Sequence, residues 1–188
     1  MSMKKGIFVG IALLIGIIIG CHTRNVSVPE TRYLKNNIHA QAGGHDTKAS
    51  YANWTDPGAG HIVIPVNTEV KFASFRRGIT VTNLTDSRTI YFEYSASNMG
   101  MSENDYINLI SSSTPVILSN LTDLDQKGIK EGKVYSGMTK DGVRIALGYP
   151  ATNRTPSLQS NTWIYWKNRF NTMAVEFDDS GRVKNIRD

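Results

Sequence analysis

Hydrophobic and polar positions follow several different rhythms along this chain. Behind Lys4 and Lys5, the run from Gly6 to Gly20 is apolar and carries no charge. Fifteen residues make a helix of roughly 22 Å, short of the about twenty needed to cross a bilayer. The run therefore reads as the core of an export signal rather than an anchor helix. From His22 to about Gly60 the pattern turns polar and irregular, broken by Asn36-Asn37, Gly43-Gly44 and Asp56-Pro57-Gly58. That composition predicts a tether over residues 21–60, with a short ordered segment near Tyr51 to Trp54.

Strand-like patterning begins at His61. Ile62-Val63-Ile64 and Val66 are β-branched, and Pro65 confines that strand to an edge or an end. Val70–Phe75, Ile79–Thr82 and Thr89–Tyr94 are three further candidates, separated by turn residues at Asn67, Arg77-Gly78 and Asp86-Ser87. Together they predict a small twisted sheet or open barrel. A helix should follow, with Ser102 as N-cap and Tyr106, Leu109 and Ile110 on one face, stopped by Ser111–Pro115. In the last third, a short helix is expected over Leu124–Lys130. A second should start at Thr139 and close at Gly148 before Pro150. Trp163–Trp166, the alternating Met173–Phe177 and the stretch Val183–Ile186 then predict three strands, the last two joined by a turn at Asp179-Ser180-Gly181.

Charge and cysteine usage sharpen the export reading. Ile18-Ile19-Gly20-Cys21 resembles the bacterial lipobox, in which the cysteine accepts a diacylglyceryl group and becomes the new N-terminus. Cys21 is the only cysteine of the 188-residue chain, and acylation accounts for a lone thiol in an oxidising compartment. Several acyl chains at about 0.8 kcal/mol per buried methylene would give durable attachment to a membrane. Cleavage before Cys21 would leave 168 residues. Loss of Lys4 and Lys5 takes the formal charge from +5 to +3. So mild a positive charge suits anionic lipid or acidic polymers and does not point to nucleic acid.

The last third carries a family resemblance. Gly137-Met138-Thr139-Lys140-Asp141-Gly142-Val143, then Leu147-Gly148-Tyr149-Pro150, Trp163-Ile164-Tyr165, and Val175-Glu176-Phe177-Asp178-Asp179-Ser180-Gly181-Arg182-Val183 occur in order. Behind a lipobox, this series resembles the SmpA/OmlA (BamE-like) lipoproteins. The resemblance covers about residues 123–188 and implies two helices packed on a three-stranded antiparallel sheet. The expected fold class is therefore α+β, with a small strand-rich segment over 61–122 preceding that module. The resemblance further implies a partner in outer-membrane assembly and a role in envelope integrity. His22 stands where the inner-membrane retention signal would have Asp, which favours the outer membrane and a periplasm-facing protein.

Candidate chemistry points to binding rather than catalysis. Trp163 and Tyr165 share one strand face and Ile164 and Trp166 the other, so one set should be core. Trp166 with Lys167 and Arg169 is a candidate partner contact, as are Asn153 and Arg154 in a loop long enough either to function or to be solvated filler. All four histidines, His22, His39, His45 and His61, lie in or beside the expected tether. His39, His45 and Asp46 match no familiar metal spacing, and no metal or cofactor is expected. A Ser-His-Asp set would need a tether histidine to fold back, and Asp123 with Asp125 fits helix-start chemistry better than acid–base work. The chain thus reads as a non-enzymatic envelope lipoprotein with a binding or scaffold role. The alternative is a cell-wall or glycan/peptide binding module, which should show an aromatic-lined groove in residues 61–122.

Overall fold

A computed structural model describes residues 27–44 and 46–188. The export signal, the lipobox with Cys21, His22 and His45 lie outside the described residues.

The tether expected over residues 21–60 is not what the chain builds from residue 27 onward. Three strands form there: β1 (Ser27–Leu34), β2 (Ile38–Gly43) and β3 (Asp46–Ser50). They join β4 (His61–Ile64), β5 (Glu69–Phe75), β6 (Gly78–Asn83) and β7 (Thr89–Glu93). Two helices follow, α1 (Ala96–Met99) and α2 (Glu103–Ile110), where the sequence suggests one, and then the two-residue β8 (Ser111–Ser112). The first sheet has eight strands in the order β4-β2-β3-β7-β6-β5-β1-β8. Its β3–β7 pair is parallel, Lys48 opposite Tyr91, and its other pairs are antiparallel. β4 is an edge strand that stops before Pro65, whose ring has no N–H to donate.

The tether expectation overlooked scattered apolar positions among polar ones. Leu34, Ile38, Ala40 and Ala49 are buried with Val70, Phe72, Ile79, Val81, Ile90 and Phe92 in the first core, under Tyr106, Ile107 and Ile110 of α2. Ser102 caps α2 by accepting from Asp105 N at 3.1 Å. At the middle of β2 both faces are covered. Ile38 and Ala40 turn to this core, while His39 is buried against the rest of the chain.

The C-terminal module forms as the pattern predicts. α3 (Asp123–Glu131) and α4 (Lys140–Leu147) precede β9 (Thr162–Trp166), β10 (Thr172–Phe177) and β11 (Val183–Arg187). The strands pair antiparallel in the order β11-β10-β9. A second core gathers Ile129, Met138, Val143, Ala146, Leu147, Trp163, Tyr165, Val175 and Phe177. The two cores adjoin and trade residues: Val66 belongs to the second, and Tyr149 and Ala151 to the first.

Candidate interaction surface

The starts of the two C-terminal helices are tied together by one buried carboxylate. Thr122 caps α3 and Thr139 caps α4, each hydroxyl accepting from the backbone N–H three residues on. Asp125 is fully buried. It accepts from Thr139 N at 2.8 Å, Thr139 Oγ1 at 3.0 Å, Thr122 Oγ1 at 2.8 Å and Thr122 N at 3.3 Å. A charge taken from water needs such donors. The approach also explains Gly142, because a Cβ there would stand 2.0 Å from Asp125 Oδ1. The Gly-Met-Thr-Lys-Asp-Gly motif is therefore a packing device, and Asp125 is structural.

At their other ends both helices meet polar side chains from the first sheet. The last carbonyls of a helix lack intrahelical partners, and Asn37 supplies them. Its Nδ2 donates to Ile129 O at 2.7 Å and to Ala146 O at 3.2 Å, and its backbone N donates to Ile145 O at 2.8 Å. Its Oδ1 accepts from Val66 N at 2.8 Å. His39 Nε2 lies 2.9 Å from Ala146 O. A carbonyl only accepts, so Nε2 carries the proton and the bare Nδ1 accepts from His61 Nε2 at 3.0 Å. Burial holds His39 down at about 4, against an ordinary 6.5, so it is neutral in this seam. Asn53 donates to Tyr149 O and packs against Gly148, where a Cβ would lie 2.7 Å from its Nδ2 and φ is +82°.

This seam holds the β9–β10 hairpin in place. Thr55 N donates to Trp166 O at 2.9 Å and Asp56 N to Lys167 O at 2.8 Å, so the first sheet's loop lines the end of β9. Trp163 and Tyr165 are core. Trp166 is half-buried against the first core, with the Arg154 guanidinium 5.5 Å from its ring centroid. Lys167 is half-buried and paired with Asp188 at 3.1 Å. Asn153 and Arg154 are exposed on a loop fixed by Thr155, whose Oγ1 accepts from Ile164 N at 2.9 Å. Asn153 N also donates to Asn98 O at 3.2 Å.

The structure thus brings Arg154 onto Trp166 and places Lys167 and Arg169 at the hairpin. It adds a residue that the strand pattern does not flag. Phe170 sits at the tip and is 84 % exposed. Asn168 Oδ1 accepts from Phe170 N and Asn171 N, both at 3.0 Å, while Lys167 N donates to Asn171 O at 2.8 Å. A tight turn therefore holds the ring in solvent beside exposed Arg169. An aromatic between two turn asparagines was the signal available for it.

His39 is sealed in the seam, and Asp46 sits opposite Gly43, four residues along β2 or about 13 Å away, so they do not form a joint metal site. Among the described residues no cluster of three or more His, Cys, Asp or Glu side chains could hold a metal ion. None of the described helices is long and apolar enough to cross a membrane.

Two helices with a three-stranded meander, seamed to a curled sheet, define an α+β fold. The model of the outer membrane protein assembly factor BamE domain matches residues 129–187. That span takes in the end of α3, all of α4 and the three strands of the second sheet, so the C-terminal module is BamE-like and the eight-stranded sheet stands outside the match. No curated protein matches the chain, and neither does any solved structure.

Proposed function

We propose that this chain is a non-enzymatic envelope lipoprotein, acylated at Cys21 on the outer membrane and facing the periplasm. Its C-terminal module docks on a component of outer-membrane protein assembly. The observation that carries the reading is the match of residues 129–187 to a domain described as an outer-membrane protein assembly factor. The docking surface assigned to it is the β9–β10 hairpin with the adjoining loop: Phe170 and Arg169 at the tip, Lys167 at its base, and Trp166 beneath Arg154, with Asn153 beside it. A solvent-held aromatic beside guanidinium groups has the composition of an interface anchor.

The test is a pull-down of the full lipidated chain, extracted from membranes in detergent, with captured proteins identified by mass spectrometry. An Arg169→Ala/Phe170→Ala variant is the control, because both side chains are exposed and their removal leaves the cores intact. Outer-membrane assembly subunits recovered with the native chain and lost with the variant support the reading. Equal recovery with both chains removes the hairpin from it, and no such subunit in either removes the adaptor role.

A further inference from the structure

The outer face of the eight-stranded sheet carries a groove that the C-terminal module does not account for. Tyr91 on β7 and Lys48 on β3 each stand between buried neighbours and so point away from the core, and Phe75 on β5 shares the parity of Lys71, which stands between buried Val70 and Phe72, so all three face the same side. Tyr91 lies opposite Lys48 on one flank and Thr80 on the other, and Phe75 lies opposite Gly78. β5 and β7 are separated by β6, so their backbones stand about 9.6 Å apart. The Phe75 and Tyr91 ring centroids are nevertheless 5.2 Å apart. The rings lean together across the strand because Gly78 leaves the space over β6 open. A Cβ at Gly78 would lie 2.2 Å from Phe92 O, so the backbone admits only glycine there.

Trp54, Arg77, Glu93 and Arg169 complete a groove of about 480 Å³, within the usual range for small-ligand sites. Phe75 is 43 % exposed. Arg77 and Arg169 are exposed, and neither has a carboxylate partner among the described residues. Lys48 faces Asp46 at 3.9 Å, and Glu93 accepts from Ser50 at 3.4 Å.

Three aromatic rings rimmed by two unpaired guanidinium groups, Lys48 and the carboxylates of Asp46 and Glu93 suit a ligand with flat apolar faces, hydroxyls and negative charge. A pyranose presents C–H faces to an aromatic ring and hydroxyls to the charged side chains around it, while a free guanidinium forks onto a carboxylate. An extended peptide fits less well. β3, β7, β6 and β5 are all interior strands, so no open backbone edge lies here for strand addition. Hydrocarbon fits less well too, because charged side chains interrupt the rings.

We propose that this groove, formed by Trp54, Phe75, Tyr91, Arg77 and Arg169, binds a carboxylated glycan strand. The groove shares Arg169 with the hairpin, but the assignment does not depend on the hairpin's docking role.

The test uses the full chain with four probes, three glycans assayed in detergent and, free of detergent, anionic phospholipid vesicles. Purified peptidoglycan sacculi are assayed by co-sedimentation. A soluble oligogalacturonate and a neutral dextran are assayed by calorimetry. Binding to sacculi, to the uronate or to both, without binding to dextran, is the expected result, and the two carboxylated arms identify the source. Phe75→Ala and Arg77→Gln should each weaken that binding by about tenfold or more. Unchanged melting temperatures would confirm that these surface variants fold, and Phe75→Tyr should retain binding. No binding to either carboxylated glycan, equal binding to dextran, or binding that survives the Phe75→Ala/Arg77→Gln pair would overturn the assignment. So would capture by anionic phospholipid vesicles showing the same mutational losses. Arg169 is kept intact here, so failure of this test and failure of the hairpin pull-down are separate results.

Discussion

Asn37 is the position at which a change of a few atoms should report most directly on how the two halves are joined. It is 1 % exposed, and its amide is used in both directions, donating to Ile129 O and Ala146 O and accepting from Val66 N. In Asn37→Ala the two carbonyls keep a second partner, Gly132 N at 3.2 Å for Ile129 O and His39 Nε2 at 2.9 Å for Ala146 O. Val66 N is the group left unpaired, at a cost of about 1–3 kcal/mol. Asn37 also lines an open cavity of about 730 Å³ with Val63, Pro65 and Ile129, so water can reach the vacated site and the net loss should be about 2 kcal/mol. Asn37→Asp changes the balance differently. It retains an acceptor for Val66 N but sets a carboxylate oxygen against Ile129 O, where a donor stood at 2.7 Å. Near neutral pH it should therefore lose more than the alanine variant, about 3–5 kcal/mol in all. Protonation restores a donor, so the folded-state carboxyl value is raised and the deficit relative to wild type should shrink as pH falls. The assay is urea unfolding of the full chain in detergent, followed by circular dichroism and tryptophan fluorescence. An aspartate variant no less stable than the alanine variant at pH 7 would refute the claim that this amide caps both helices.

Three further outcomes follow from the same geometry. Burial lowers His39 to about 4 from 6.5, so its contribution is complete above pH 6.5 and is lost as pH falls through 4. The loss totals about 3 kcal/mol; burial also lowers the half-exposed His61, against an opposing pull from Asp56. His39→Gln should flatten the pH–stability curve between those values, and an unchanged slope would show that another group controls it. Gly142→Ala should lower stability by about 2 kcal/mol, because the clash with Asp125 outweighs a helix-propensity gain of about 1 kcal/mol; a raised melting temperature would contradict this. Asp125→Ala strips Thr139 N of its partner and should cost about 3 kcal/mol by urea unfolding, with a change below about 0.5 kcal/mol counting against it.

What the sequence revealed depended on whether a residue's partner was close by. Thr139 and Gly148 announce α4 because a cap is satisfied within a few residues, β4 is a continuous β-branched run, and β5 to β7 show inward–outward alternation within a single strand. β1 to β3 were hidden for the opposite reason. Leu34 of β1 and Ile38 of β2 are lone aliphatic residues among polar ones, and the other inward positions of β2 and β3 include Ala40, Thr47, Ala49 and Ser50, which look polar or neutral in sequence. Asn37 and His39, which look like tether residues, bond to carbonyls at positions 129 and 146. A buried polar side chain cannot be told from an exposed one until its distant partner is in place. The same limit hid the groove. Trp54, Phe75, Tyr91 and Arg169 come from four separate stretches, and the parallel pairing of β3 with β7 is what sets Lys48 beside Tyr91.

Arg169 belongs to both proposed surfaces. It is one residue from Phe170 on the hairpin and it also lines the aromatic groove of the first sheet. The hairpin reaches that position because the loop after β3 bonds to Trp166 O and Lys167 O, and the second sheet is fixed against the first through Asn37, His39 and Asn53. Each of those side chains satisfies a backbone carbonyl with a directional hydrogen bond, which specifies orientation more narrowly than apolar contact alone. A polar seam of this kind exchanges some stability for a defined angle between the modules. That is the property a protein needs if a glycan on one module is to stand at a set distance from a protein partner on the other. Weakening the seam with Asn37→Ala, a change that touches neither surface, should then cost glycan binding no more than the loss of Arg169 would, while reducing further any binding that requires both surfaces at once. Equal retention of the two would mean that the modules act independently and that the seam serves stability alone.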